Sequence, residues 1–96
     1  MKIQILDAAE QDLITGFKFY ESQSQGLGHY FLDSVYADIE SLHLYYGIHP
    51  KHFSYHRLLT RRFPFAIYYR VEKNSIRVYA VFDCRKNPKS IHERLN

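Results

Sequence analysis

Polar and apolar side chains alternate over residues 2–6 (Lys-Ile-Gln-Ile-Leu), the period of two expected of a short strand with one buried face. Asp7 follows, and with Glu10 three residues on it predicts a capping box that opens a helix. Leu13, Phe17 and Tyr20 recur at helical spacing to about residue 23, and Ile14 widens their stripe. Gly16 lies in the middle of this helix, which predicts close approach by another element. Residues 22–28 are a short polar connection whose Gly26 and Gly28 suit a helix stop and a tight turn. Phe31, Val35, Ile39, Leu42 and Tyr46 then mark a long second helix ending before Gly47. So short a link predicts an antiparallel helical hairpin.

From Gly47 to Tyr55 the pattern is irregular, and Pro50 predicts a loop. Residues 56–62 form a predicted strand broken at Phe63-Pro64, residues 65–71 the next, and a turn at Glu72-Lys73-Asn74-Ser75 leads into a last strand through Phe82. Strict alternation puts Arg77, Tyr79 and Val81 on one face of that strand and Ile76, Val78, Ala80 and Phe82 on the other. Both faces of the sheet are then partly covered, one by the helical hairpin and the other by a partner. Asn87-Pro88 breaks the chain, leaving residues 89–96 as a short terminal helix or a mobile tail. The expected fold class is α+β: an N-terminal strand and an antiparallel helical hairpin packed on a twisted antiparallel sheet of three or four strands, in one domain spanning 1–96.

Composition narrows the function classes. Ninety-six residues supply one core and no separate cofactor domain, so a large-cofactor enzyme is excluded and no cofactor is expected. The single cysteine, Cys84, cannot form an internal disulfide; it predicts a reducing compartment and an inert, half-buried thiol. Residues 1–7 carry neither a long apolar stretch nor a small-residue cleavage site, which predicts a cytoplasmic protein without membrane association. Charge is uneven. Residues 51–96 hold eleven of the thirteen Lys and Arg and three of the ten acids, a formal +8 against −5 for residues 1–50. One basic face suited to an acidic partner follows from that asymmetry.

Several segments together resemble the RelE/ParE superfamily of bacterial toxins. They are Tyr20-Glu21, Gly26-Leu27-Gly28 with Phe31-Leu32-Asp33, Arg57-Leu58-Leu59, the run Arg61-Arg62-Phe63-Pro64-Phe65-Ala66-Ile67-Tyr68-Tyr69-Arg70-Val71, then Ile76-Arg77-Val78-Tyr79-Ala80-Val81 and Arg85-Lys86-Asn87-Pro88. The resemblance runs over nearly the whole chain and, with its helical hairpin and Gly-Leu-Gly tip, is greater to the ParE branch. It implies the toxin of a type II toxin–antitoxin pair, silenced by a cognate antitoxin protein, with DNA gyrase as target and operator DNA reached only through the antitoxin. The RelE branch implies a different activity, cleavage of ribosome-bound messenger RNA. Its pattern places Ala66 where that branch carries a strand arginine, Lys86 at a second basic position and His92 at a C-terminal tyrosine.

Cleavage by attack of a 2′-hydroxyl needs cations for the phosphorane and a group that moves protons. With Ala66 at the arginine position, no catalytic residues are expected; a ribonuclease would have to draw on Lys86, His92, Arg62 and Arg85. The surface expected to bind target or antitoxin comprises Arg57, Arg61, Arg62, Arg77, Tyr79, Arg85, Lys86, Lys89 and Arg94, against the plain alternative of a solvated basic tail. His49, His52 and His56 sit close together, but no cysteine or acid joins them at ligand spacing, so exposed loop histidines and no metal are expected. Tyr30, Tyr36, Tyr45 and Tyr46 border the helical hairpin, either as the edge of the core or as antitoxin anchors. A third reading keeps only antitoxin binding, in a degenerate toxin.

Overall fold

The computed structural model describes residues 1–96, in the order β1 (Lys2–Ile5), α1 (Asp7–Gln23), α2 (Leu27–Glu40), α3 (Leu42–Tyr45), β2 (Lys51–His52), β3 (Tyr55–Leu59), β4 (Phe65–Glu72), β5 (Ser75–Asp83) and α4 (Pro88–Leu95). Five strands form one sheet in the order β1-β5-β4-β3-β2. The sheet has more strands than the three or four expected, and it is mixed: β1 runs parallel to β5, with Ile3 opposite Ile76. The other pairings are antiparallel. No helix is long and apolar enough to cross a membrane.

The expected capping box does not form. Leu6 is the N-cap, and no side chain bonds the free N–H groups of α1. The Leu6 N–H instead donates to the Val78 carbonyl at 3.0 Å, which extends the sheet register one residue and places Asp7 inside the helix. Its charge still favours the helix N-terminus. Gly16 is buried under Phe31, where a Cβ would lie 2.6 Å from two ring atoms. Any larger residue there would push the two helices apart. The hairpin turn is capped from the preceding helix: Glu21 accepts from the N–H groups of Gly26 and Gly28, both at 2.9 Å, and Gly26 has the positive φ of 87° that favours glycine. Those two bonds hold the Glu21 carboxyl below the usual carboxylate range.

The long second helix is interrupted at Ser41, whose hydroxyl donates to the Asp38 carbonyl at 2.6 Å, and α3 completes it as far as Tyr45. The segment expected to be a loop contains β2, joined to β3 by a two-residue turn at Phe53 (φ 56°) and Ser54 (φ 69°). Two consecutive left-handed residues make the turn that suits a tight hairpin. Strand β3 ends at Leu59, not at residue 62. There the Thr60 hydroxyl donates to the carbonyls of Phe63 (2.6 Å) and Phe65 (3.2 Å), and the Arg61 N–H donates to Asp38 Oδ2 at 3.1 Å, turning the chain off the sheet towards α2.

Strand β5 also departs from strict alternation. Tyr68 pairs with Ala80 but Tyr69 with Val78, so Tyr79 is an extra residue in a β-bulge. The bulge reverses the facing: Ile76, Val78 and Val81 join the core under the helical hairpin, whereas Ala80 and Phe82 face the other way. That second face is closed by the chain itself. Helix α4 is capped by Asn87, whose side chain accepts from the Lys89 N–H, begins at Pro88, and lays Ile91 and Leu95 over Tyr68, Ala80 and Phe82.

Strand β1 covers only the Ser75–Val78 part of β5. Beyond it, Asp12 and Arg94 take the place of a neighbouring strand. Asp12 Oδ2 accepts from the Val81 N–H at 2.9 Å, Arg94 donates to both Asp12 oxygens at 2.8 and 2.9 Å, and Arg94 also reaches the Tyr79 carbonyl at 3.4 Å.

Candidate functional site

The basic residues do not share one face. On the hairpin side, Arg61 and Arg62 follow β3 and rim a cavity of about 390 Å³ whose other walls are Ser34, Ala37, Asp38, Ser41, Tyr45, Ile48, His49 and Leu58. On the α4 side, Arg57 and Lys86 converge on a groove of about 350 Å³ lined by Ala66, Tyr68, Phe82, Cys84 and Ile91, with His52 and Phe53 at its wall. Arg77 and Tyr79 meet at the β4–β5 turn. There the Tyr79 hydroxyl donates to the Glu72 carboxylate at 3.1–3.2 Å, and Arg77 Nε lies 3.3 Å from Glu72. Burial, followed by the Glu72 charge, raises the Tyr79 phenol.

Internal pairing reduces the charge offered to a partner. Arg85 makes a forked pair with Asp83, at 2.9 Å from Nε and 2.6 Å from Nη2, which holds the Asp83 carboxyl below the usual carboxylate range. Arg94 is similarly committed to Asp12 and also lies 5.0 Å above the Phe82 ring. Arg70 stacks over Tyr55 at 4.0 Å. Of the basic residues expected to form the binding surface, Arg57, Arg62, Lys86 and Lys89 make no ion pair with any acid of the chain.

The four residues a ribonuclease would need are not brought together. Arg62 belongs to the cavity on the hairpin side, Arg85 is committed to Asp83, and His92 packs against Phe53 at 5.2 Å and contacts Asn96. Lys86 alone reaches the α4-side groove, where Ala66 contributes a methyl group to the lining. The same groove contains Arg57 and, unforeseen by spacing, His52. The sequence signal for His52 would have been the β2–β3 hairpin, which its non-glycine turn disguised. Cys84 is exposed at the groove edge rather than half-buried, because it follows the last strand, and desolvation by the groove wall raises its thiol against the opposing effect of Arg57.

His49 and His56 have a structural partner in common. The Tyr69 hydroxyl accepts from the Gly47 N–H at 3.0 Å and contacts His49 Nδ1, the His56 ring stacks on Tyr69 at 5.1 Å, and His56 Nδ1 donates to the His49 carbonyl at 2.7 Å. Burial, then the neighbouring His56, lowers the His49 pKa below 6.5. Burial raises the Tyr69 phenol, against the opposing effect of the backbone N–H groups of Gly47 and His49.

Apolar surface concentrates around the helical hairpin. Leu44, Tyr45, Tyr46 and Ile48 form an exposed run after the second helix, with Leu44 80% and Ile48 71% exposed. A second groove, between the outer faces of α1 and α2, is lined by Leu13, Ile14, Phe17, Leu32 and Tyr36. Tyr30 rests on Phe63 with ring centres 5.5 Å apart. Contiguous apolar surface of this kind marks an interaction site, a signal available in sequence only as an excess of tyrosine.

No protein-family model and no curated protein matches this chain. Among solved structures, the chromosomal ParDE TA system from P. aeruginosa is similar, with a TM-score of 0.72 and 17% identity over 86% of this chain and 95% of that one. The chain shares the RelE/ParE-like fold of that structure.

Proposed function

We propose that this protein is the toxin of a type II toxin–antitoxin pair, held inactive by a cognate antitoxin protein and acting in the cytoplasm by binding and inhibiting DNA gyrase. The observation that carries the reading is the whole-chain likeness to a ParDE structure. The surface accords with action by binding: the exposed Tyr45 and Ile48 line the same cavity as Arg61 and Arg62, the aromatic and arginine composition enriched at protein interfaces. With alanine at position 66, β4 places a methyl group and no guanidinium on the α4-side groove. Purified toxin is expected to impair supercoiling by gyrase and to leave cell-free translation intact; full supercoiling at saturating toxin overturns the gyrase assignment.

A ribosome-dependent endoribonuclease is the second reading, favoured by one feature, the convergence of Arg57, Lys86 and His52 on a single groove. It requires cleavage of ribosome-bound messenger RNA that His52→Ala or Lys86→Ala removes. Expression that is harmless without antitoxin would leave antitoxin binding as the remaining role.

A further inference from the structure

The groove on the α4 side takes its shape from one small residue in a row of large ones. Arg57 lies opposite Tyr68, and Ala66 opposite Phe82, on the face of the sheet that α4 covers. Ala66 raises only a methyl group beside Tyr68 and Phe82, and the groove of about 350 Å³ opens there. Pro88 and Ile91 of α4 wall one side, and His52 and Phe53 of the β2–β3 hairpin wall another. The hairpin and α4 meet where the Phe53 ring packs on His92 at 5.2 Å, which closes the groove at that end. Its charged lining is all cationic. Lys86 is exposed and Arg57 half-buried, neither has a carboxylate partner, and no acid lines the groove. By contrast, Arg85 is occupied by Asp83 and Arg94 by Asp12. The rest of the reachable lining is mostly apolar: Phe53, 39% exposed, and Pro88.

We propose that this groove takes the C-terminal residue of a partner polypeptide, with its α-carboxylate between Arg57 and Lys86 and an apolar side chain against Phe53 and Pro88. Two reachable cations with no acid beside them select an anion, and a carboxylate matches the arginine fork with two oxygens. The volume far exceeds that of a carboxylate, and the apolar lining gives the anion an apolar body. The closed end at Phe53 and His92 admits a chain terminus and stops a chain passing through. A terminal residue also carries both parts on one Cα. An internal Asp or Glu would draw the apolar side chain from two positions away, about 7 Å along an extended chain and the full width of a groove this size. A nucleotide fits less well: the lining has no Asn, Gln, Ser, Thr or acid to pair a base edge, and Tyr68 and Phe82, 3% and 5% exposed, leave Phe53 as the one open ring. The site needs only a partner with a free C-terminus and stands whether or not gyrase is the target.

The test is a titration of the ¹⁵N-labelled protein with the peptide acetyl-Gly-Ser-Gly-Ser-Phe, ending in a free carboxylate, followed by amide chemical shifts. Saturable shifts are expected at His52, Phe53, Arg57, Cys84 and Lys86, and none at Arg61 or Arg62 on the other face. Affinity should fall about tenfold when the terminus is amidated, because hydrogen bonds to a charged group are lost. Replacing the phenylalanine by glycine should weaken it severalfold. Arg57→Gln and Lys86→Gln should each weaken binding severalfold, and together about as much as amidation. The competing anions are an internal glutamate, in acetyl-Gly-Phe-Gly-Glu-Gly-Ser-amide, and an oligouridylate RNA. The amidation comparison uses the wild type and decides whether or not the variants fold. Equal binding of the amidated peptide, tighter binding of either competitor, unchanged affinity in the folded double variant, or no groove shifts at millimolar peptide overturns the proposal.

Discussion

The two faces of the sheet are built to different standards. Under the helical hairpin, thirteen buried residues from α1, α2, α3, β4 and β5 form one cluster, with Phe31 in contact with the rings of Tyr20, Phe63 and Phe65. Under α4, seven residues suffice, and two of them, Ile91 and Leu95, belong to the last eight-residue helix. The first face is a core that the fold cannot do without. The second is a cover, held by two aliphatic side chains and by the Asp12–Arg94 pair that closes the uncovered end of β5.

The contrast is most directly broken by matched truncations. Phe31→Ala removes a ring from the center of the larger cluster and should cost about 3–5 kcal/mol, enough to unfold many domains of this size. Ile91→Ala should cost about 2 kcal/mol, because α4 can settle onto the smaller side chain. Urea unfolding at neutral pH measures both. Equal losses would mean that α4 is as integral as the hairpin.

A smaller effect sharpens the picture at the sheet edge. Arg94→Ala leaves Asp12 still accepting from the Val81 N–H but removes the forked pair and the contact with Phe82, and should cost about 1 kcal/mol at this partly exposed site. Amide exchange should quicken in α4 and at Val81 while Ile67 and Tyr69 in β4 keep their protection. Uniform loss of protection would contradict a separable cover.

Much of this architecture is legible in the sequence because it rests on periodicity. Leu13, Phe31, Val35 and Ile39 are all buried at the spacing that predicted them, and Gly16 lies against Phe31 where its missing side chain implied close approach. Reading failed where one residue alters the register or where a distant group supplies a bond. Tyr79, as a bulge residue, moves Ala80 and Phe82 to the face opposite Ile76 and Val78, and nothing in the local pattern marks it. The Phe53-Ser54 turn has neither glycine nor asparagine, so β2 was hidden in an apparent loop. Asp7 looked like a cap because sequence does not show that Leu6 is still bonded to β5. At the candidate sites, the residue types were readable but their grouping was not: Arg61, Arg62, Arg57 and Lys86 are close in a list of cations and lie on two faces of the sheet.

The smallest effect concerns proton binding, and it too should separate the faces. His49 is tied to Tyr69 of the hairpin-side core, and with the Tyr69 oxygen accepting from the Gly47 N–H, the phenolic hydrogen is free to point to a neutral His49 Nδ1. Burial disfavours a charge on His49, the neighbouring His56 adds to that, and protonation also puts a second hydrogen in the contact with Tyr69. The folded-state pKa is therefore lowered, and the unfolded chain takes up the proton first. The contribution to stability is fully present above about pH 6.5 and is lost as pH falls below it towards the folded value. Unfolding of the wild type and His49→Gln between pH 7.5 and 5.5 measures this, since the other five histidines are common to both. The wild type should lose stability relative to the variant as pH falls, with amide shifts changing at Gly47 and Ile48 and not in α4. Parallel stability curves would mean that His49 carries no proton linkage and that the contact with Tyr69 is packing alone.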